Sequence, residues 1–145
     1  MKRLVFITNV PSPYRVDFFR YMQDNYKEYE FYVIFSGAGM ENRKWSVDLK
    51  KLDNVHFLKS KTIIIRKRFD DRYVFVPLGV EKLLKQINPD LVFAMEYNPT
   101  ILRAVHWCCK KKIPFISWTD GTLNSEKNIG KVQRMSRKYI VKRAA

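Results

Sequence analysis

The chain has 145 residues, 46% hydrophobic and 14% aromatic: enough for one domain with its own core, too few for two ordinary ones, and too apolar for a disordered segment. Lys and Arg outnumber Asp and Glu by 28 to 14, a formal charge of +14, which points to an anionic partner: nucleic acid, phospholipid head groups or a phosphorylated substrate. No apolar run approaches the roughly 18 residues of a membrane-spanning helix, and Lys2-Arg3 before a short stretch broken by Thr8-Asn9 reads as a first core strand, not a signal peptide.

The first strand is predicted over residues 3–8. A loop stiffened by Pro11 and Pro13 leads into a helix with Val16, Phe19, Met22 and Tyr26 on one face and Phe18 beside them. Asp17 falls in its first turn, where the helix dipole favours an acid. Residues 31–35 form a second strand, closed by Ser36-Gly37-Ala38-Gly39. Residues 40–53 are polar and aperiodic, a loop, and 55–58 form a short third strand. The stretch 60–76 is the least legible: Thr62-Ile63-Ile64-Ile65 has strong β propensity among Lys59, Lys61, Arg66, Lys67 and Arg68, and reads either as an edge strand or as a loop folding over a ligand.

A helix follows, with Pro77 in its first turn and Val80, Leu83, Leu84 and Ile87 at i, i+3, i+4 and i+7. Asn88-Pro89-Asp90 stops it, and residues 91–95 are a buried strand. The next helix carries Ile101, Leu102, Val105, Cys108 and Cys109 inward and ends in Lys110-Lys111-Lys112. Residues 115–118 form another strand. A last helix over 125–143 presents Ile129, Val132, Met135, Tyr139 and Ile140 on one side and Lys127, Lys131, Arg134, Lys138 and Lys142 on the other. This alternation predicts an α/β domain with a doubly wound, mostly parallel sheet.

Three strand ends carry distinctive polar residues, and a parallel sheet sets all of them along one edge, where such folds bind ligands. After the first strand, Asn9, Ser12, Tyr14 and Arg15 are placed to meet an anion or sugar hydroxyls near a helix N-terminus, or else form a stiff turn with an ordinary surface charge. Glu96, Tyr97 and Asn98 combine a carboxylate, a ring and an amide suited to sugar hydroxyls; Asn98 before Pro99 equally suits a helix cap. Trp118, Thr119, Asp120, Gly121 and Thr122 form the third cluster. There Asp120 is a candidate base or ligand for an acceptor hydroxyl, and the alternative is a simple Asp-Gly turn with Ser125 capping the last helix.

Other chemistries lack support. No glycine-rich phosphate loop or nucleophile elbow is present. Cys108 and Cys109 are adjacent, ill-suited to pair with each other, and have no metal-site spacing; reduced thiols in a cytosolic protein are the simplest reading. His56 and His106 read as structural or surface residues. The basic stripe of the last helix suits either solubility or an anionic membrane surface.

The chain resembles the N-terminal, acceptor-side domain of a retaining family 4 glycosyltransferase of the GT-B fold. The resemblance rests on Thr8-Asn9-Val10-Pro11-Ser12-Pro13-Tyr14-Arg15-Val16, Asn88-Pro89-Asp90-Leu91-Val92, Glu96-Tyr97-Asn98-Pro99, Pro114-Phe115-Ile116-Ser117-Trp118 with Asp120-Gly121-Thr122, and Tyr139-Ile140-Val141-Lys142-Arg143-Ala144. It spans essentially the whole chain, residues 1–145. It implies a Rossmann-like domain that binds the acceptor across a cleft from a second domain holding the nucleotide sugar. Ser12, Tyr14 and Arg15 then lie on the donor-phosphate side. Asn9, Glu96, Tyr97, Asn98, Trp118, Thr119, Gly121 and Thr122 lie toward the acceptor, and Asp120 is the expected catalytic residue.

Some members of that family have a histidine where this chain has Thr119-Asp120. The family's donor domain, with its Glu-x7-Glu element, has no counterpart within these 145 residues. The resemblance therefore implies a half-enzyme inactive alone, with a nucleotide sugar as co-substrate of the whole, no cofactor and no metal. Its expected partner is a glycan or lipid-linked acceptor, met in the cytoplasm or on the inner face of the plasma membrane. The competing expectation, carried by the charge alone, is a non-catalytic basic module binding nucleic acid or an anionic membrane surface; no nucleic-acid recognition motif supports specific binding.

Overall fold

The structure, a computed structural model, describes residues 1–37, 47–50, 52–66, 72–122, 124 and 126–145, with the backbone alone at 72, 73 and 75. The turn at Ala38-Gly39, most of the loop 40–53, Lys67, Arg68 and the Ser125 cap lie outside the described residues. The elements run β1 (Lys2–Thr8), α1 (Pro13–Asn25), β2 (Tyr29–Phe35), β3 (Val55–Phe57), β4 (Lys59–Ile65), β5 (Arg72–Leu78), α2 (Val80–Ile87), β6 (Leu91–Met95), α3 (Pro99–Lys111), β7 (Phe115–Trp118) and α4 (Lys131–Val141).

Five strands form one parallel sheet in the order β3-β2-β1-β6-β7. The doubly wound α/β fold is therefore as the sequence predicts. Alternate residues of each strand face opposite sides, so the sheet has two cores. Leu4, Phe6, Phe31, Val33, Phe35 and Met95 pack with Val16 and Phe19 of α1. Val5, Ile7, Ile34, Val92 and Ala94 pack with Leu84 of α2, Ile101 and Val105 of α3, and Ile140 of α4. At the centre of the first core, Phe6 stacks on Phe93, ring centroids 4.4 Å apart.

Several local expectations change. α1 begins at Pro13, so Asp17 lies past the first turn and pairs with Arg20 at 3.6 Å. The helix ends at Asn25, leaving Tyr26 as a half-exposed cap outside the buried face. Pro77 belongs to β5, not to α2: Gly79 at φ 85° separates the two, a conformation that breaks the helix before it can include Pro77. The illegible stretch is an antiparallel ribbon, β4 against β5, separate from the main sheet.

Cys108 is buried but Cys109 is exposed, since neighbours on a helix point in different directions. α4 starts only after Gly130, whose N–H donates to Gln133 Oε1 at 3.1 Å. It is also turned from the expected face: Val132 and Met135 are 76% and 70% exposed, while Ile140 is buried and Arg137 faces the protein. The polar demands of Gln133 and Arg137 outweigh the apolar pattern there. No helix among the described residues is long and apolar enough to cross a membrane.

Burial pushes the Cys108 thiol up to about 12, leaving almost no thiolate at neutral pH. A thiol reagent should therefore modify one cysteine of the native protein, Cys109, with Cys108 slower by roughly a thousandfold or more. Mass analysis of the labelled peptides, with and without denaturant, checks this.

Candidate functional site

The strand order reverses at β1. From β1 the chain passes through α1 to β2 on one side, while β6 lies on the other and leads through α3 to β7. Such a switch point leaves a crevice beyond the carboxyl ends of the strands, because the two connections diverge to opposite faces. Asn9 follows β1 at this point, Glu96 to Asn98 follow β6, and Thr119 and Asp120 follow β7.

The loop after β1 is short and stiff. Pro13 occupies the first turn of α1, where a missing N–H does no harm. Ser12 caps the helix through its backbone, its carbonyl accepting from Arg15 N–H at 3.1 Å and Val16 N–H at 3.0 Å. Its hydroxyl is buried, with no hydrogen-bond partner among the described residues. Tyr14 turns outward, 5.6 Å from the Arg15 guanidinium.

Arg15 turns inward and is buried. Its Nη1 donates to Glu96 Oε1 at 2.5 Å and to the Thr8 hydroxyl, and its Nη2 lies 3.5 Å from Asp120 Oδ2. The other Glu96 oxygen accepts from the Asn9 amide, and the Asn9 carbonyl accepts from Asn98. Asn98 Oδ1 in turn caps α3, accepting from Ile101 N–H at 2.8 Å. The two sequence readings of Asn98, helix cap and site residue, therefore hold together: one side chain serves both.

Glu96 adopts φ 78°, a left-handed conformation that costs a non-glycine residue roughly 1 kcal/mol or more. Its N–H donates to the Trp118 carbonyl at 2.8 Å, so the turn ties the ends of β6 and β7 together. Burial, with Asp120 adding to it and Arg15 opposing it, holds the Glu96 carboxyl above the ordinary carboxylate range. For Arg15, burial works against the charge, but Glu96 and the nearby groups outweigh it and the value rises. The pair is thus a true ion pair, with an acid easier to protonate than an exposed one.

Two cavities flank this pair. The larger, about 290 Å³, is lined by Asn9, Glu96, Tyr97, Asn98, Thr119 and Arg137, with Pro99, Glu126 and Val74 completing it. The smaller, about 180 Å³, lies against Tyr14, Arg15, Phe18, Met95, Trp118 and Asp120. The expected site residues thus divide between two clefts, Glu96 bordering one and Arg15 the other. Ser12 lines neither, nor do Gly121 and Thr122, which are exposed in the turn after β7. Gly121 is nevertheless constrained: a Cβ there would sit 2.6 Å from Glu126 Oε1.

Sequence reasoning missed Arg137 altogether. It reaches back from α4 to Glu126, with Nη2 donating to Oε1 at 2.9 Å and Nε 2.7 Å from Oε2, and its guanidinium lies 4.9 Å from the centre of the Tyr97 ring. Nothing in its helical spacing separates it from the neighbouring basic stripe. Among the described residues no cluster of His, Cys, Asp or Glu is arranged to hold a metal ion.

No family model matches the chain, and no curated protein matches it. Solved structures do share its fold. They include a UDP-N-acetylglucosamine 2-epimerase (17% identity, TM-score 0.57, 99% of this chain and 40% of that one). A Listeria monocytogenes protein assigned the same activity matches at 12% identity and TM-score 0.59, over 99% of this chain and 38% of that one. S. aureus MnaA with UDP matches at 13% identity and TM-score 0.56, over 99% and 36%. At these identities the likeness is one of fold: a Rossmann-like α/β unit corresponding to one half of a GT-B-like protein. The chain spans 40% or less of each of these three structures.

Removing Arg15 leaves Glu96 buried without its counter-charge. Arg15→Gln should lower the unfolding free energy by about 3 kcal/mol and raise the Glu96 carboxyl further. Because the native state then holds a proton that the unfolded chain releases, stability should fall as pH rises above the ordinary carboxylate range, more steeply than in the parent. Glu96→Gln should remove that slope. Urea unfolding across the acid range to neutrality measures both.

Proposed function

We propose that the chain is the acceptor-binding half of a glycosyltransferase that moves a sugar from a nucleotide-sugar donor to a glycan or lipid-linked acceptor in cell-surface polysaccharide or glycolipid synthesis. The observation that carries this reading is the larger cavity at the switch point. It gathers two carboxylates, two amides, a guanidinium, a hydroxyl and an aromatic ring, the groups that recognise sugar hydroxyls by hydrogen bonding and by ring contact. The family 4 resemblance along the chain supports the same assignment, as does a fold that in its structural neighbours makes up less than half of a larger sugar-nucleotide protein.

In this reading Asn9, Asn98 and Thr119 bind acceptor hydroxyls, Tyr97 offers its ring, and Glu96 accepts from them at the floor. Trp118 supplies an apolar wall on the far side of the ion pair. Asp120, exposed and within reach of Arg15, acts as the base that takes the acceptor proton. Gly121 and Thr122 shape the turn that carries it. Ser12, Tyr14 and Arg15 form the rim from which donor phosphates approach, and Arg15 serves there mainly by fixing Glu96. The donor itself requires the second domain of the two-domain arrangement.

A second reading follows from the same neighbours, two of which are described as epimerases of UDP-N-acetylglucosamine: the chain is half of an enzyme that binds such a nucleotide sugar within this crevice. Titration separates the two. With the acceptor reading, oligosaccharide or lipid-linked sugars shift the side-chain amide resonances of Asn9 and Asn98, Thr119→Val weakens that binding several-fold, and incubation with nucleotide sugars yields no transfer by this chain alone. Tight binding of UDP-N-acetylglucosamine at the same amides, without any response to acceptors, would favour the epimerase-like half. Turnover by this chain alone would defeat the half-enzyme reading.

A further inference from the structure

The β4–β5 ribbon leaves the main sheet at the carboxyl end of β3, fastened there by Ser60 Oγ donating to the Ser36 carbonyl at 2.6 Å. Its other strand is held to α3, where Arg103 Nη1 donates to the Pro77 carbonyl at 3.3 Å. Beyond these anchors the ribbon carries three consecutive isoleucines, Ile63, Ile64 and Ile65, which are 51%, 40% and 45% exposed. Successive strand residues point to opposite faces, so both faces of the ribbon expose apolar side chain at this level. A two-stranded ribbon with both faces in water is marginal by itself, and contiguous exposed apolar side chains of this kind mark an interaction surface.

The surroundings indicate what covers it. Lys59, Lys61 and Arg66 bracket the isoleucines and are all exposed. The chain as a whole carries +14, so two copies repel one another, whereas an anionic surface attracts both the ribbon and the body behind it. The ribbon also borders the candidate site. Val74, which pairs with Ile63 across the ribbon, lines the larger cavity.

We propose that the β4–β5 ribbon docks on an anionic phospholipid surface, with Ile63, Ile64 and Ile65 entering the head-group boundary and Lys59, Lys61 and Arg66 contacting the lipid phosphates. Docking in this way sets the mouth of the polar cavity beside the bilayer, where the head group of a membrane-anchored acceptor would lie. The proposal deepens the acceptor reading, yet it is tested by lipid alone: vesicles without any glycan decide it whether or not that reading holds. The sequence offers the basic stripe of α4 as one reading for membrane contact, with solubility as the other. In the structure the exposed apolar residues of that helix, Val132, Met135 and Val141, are spaced apart along it and not consecutive as the three isoleucines are.

The experiment is co-sedimentation of the full chain with vesicles of phosphatidylcholine, with and without phosphatidylglycerol. Binding is expected only with phosphatidylglycerol and should weaken with salt. Ile63→Ser/Ile65→Ser should weaken it about tenfold or more, and Lys59→Gln/Lys61→Gln about fivefold or more. Val132→Ser/Met135→Ser should leave it unchanged. Protection of Cys108 from thiol reagents reports that each variant is folded. Should the isoleucine variant unfold, Ile64→Cys carrying an environment-sensitive dye, in a Cys109→Ser background, decides the matter. A blue shift on anionic vesicles supports the proposal, and an unchanged spectrum overturns it. It is also overturned if binding survives the ribbon variants, if only the α4 variant loses it, if a single-stranded oligonucleotide binds through the ribbon in place of lipid, or if the ribbon instead makes a dimer.

Discussion

The ion pair between Arg15 and Glu96 organises the carboxyl edge of this domain. It joins the first turn of α1 to the end of β6, and through Thr8, Asn9 and Asp120 it reaches β1 and the turn after β7. A buried guanidinium is tolerable only with its charge matched, and here Glu96 matches it at Nη1 with Asp120 near Nη2, while Nε has no hydrogen-bond partner among the described residues. The stiff Pro11–Pro13 loop and the left-handed backbone of Glu96 are the means by which the two charges meet. Once they meet, Asn9 and Asn98 have fixed partners and α3 gains its cap. The polar crevice is thus a consequence of satisfying one buried charge.

The same pair divides the edge into two kinds of surface. On the side of Glu96 the lining is rich in hydrogen-bonding groups; on the side of Arg15 it is largely aromatic and apolar, with Phe18, Met95 and Trp118. Phe18 and Trp118 meet edge to face, centroids 5.5 Å apart, which ties the wall of the second cleft to α1. A ligand spanning both would meet polar groups first and an apolar wall beyond them. The second polar layer, Glu126 with Arg137 over Tyr97, closes the first cleft from α4 and shows why that helix turns an arginine inward.

The ribbon departs from the economy of the rest of the fold. In the central strands β1 and β6 the apolar residues are covered by helices on both faces, as a parallel sheet demands, and exposure falls at positions such as Phe57 and Ile116 on the edge strands. The isoleucines of β4 are 40–51% exposed. Their placement next to the crevice, among exposed cations, gives the domain a basic and apolar projection on the side where its candidate site opens.

Local pattern was enough to reveal the sheet and most of the helices. Buried runs such as Leu91–Met95 and Phe115–Trp118 have one stable use in an alternating α/β chain, and the Val80, Leu84 and Ile87 spacing leaves one face for α2 to bury. The three polar strand ends were legible for the same reason, since parallel strands must align their carboxyl ends. What the local pattern could not convey was pairing across long separations. That Arg15 is buried against Glu96, 81 residues away, depends on β1 and β6 being neighbours, as does the meeting of Asn9 with Asn98. Arg137 enters the site because its charge finds Glu126, which turns α4 away from its apolar pattern. The β4–β5 ribbon stands apart from the sheet for a related reason: its propensity favoured a strand, but only tertiary packing decides which strand has neighbours to cover it.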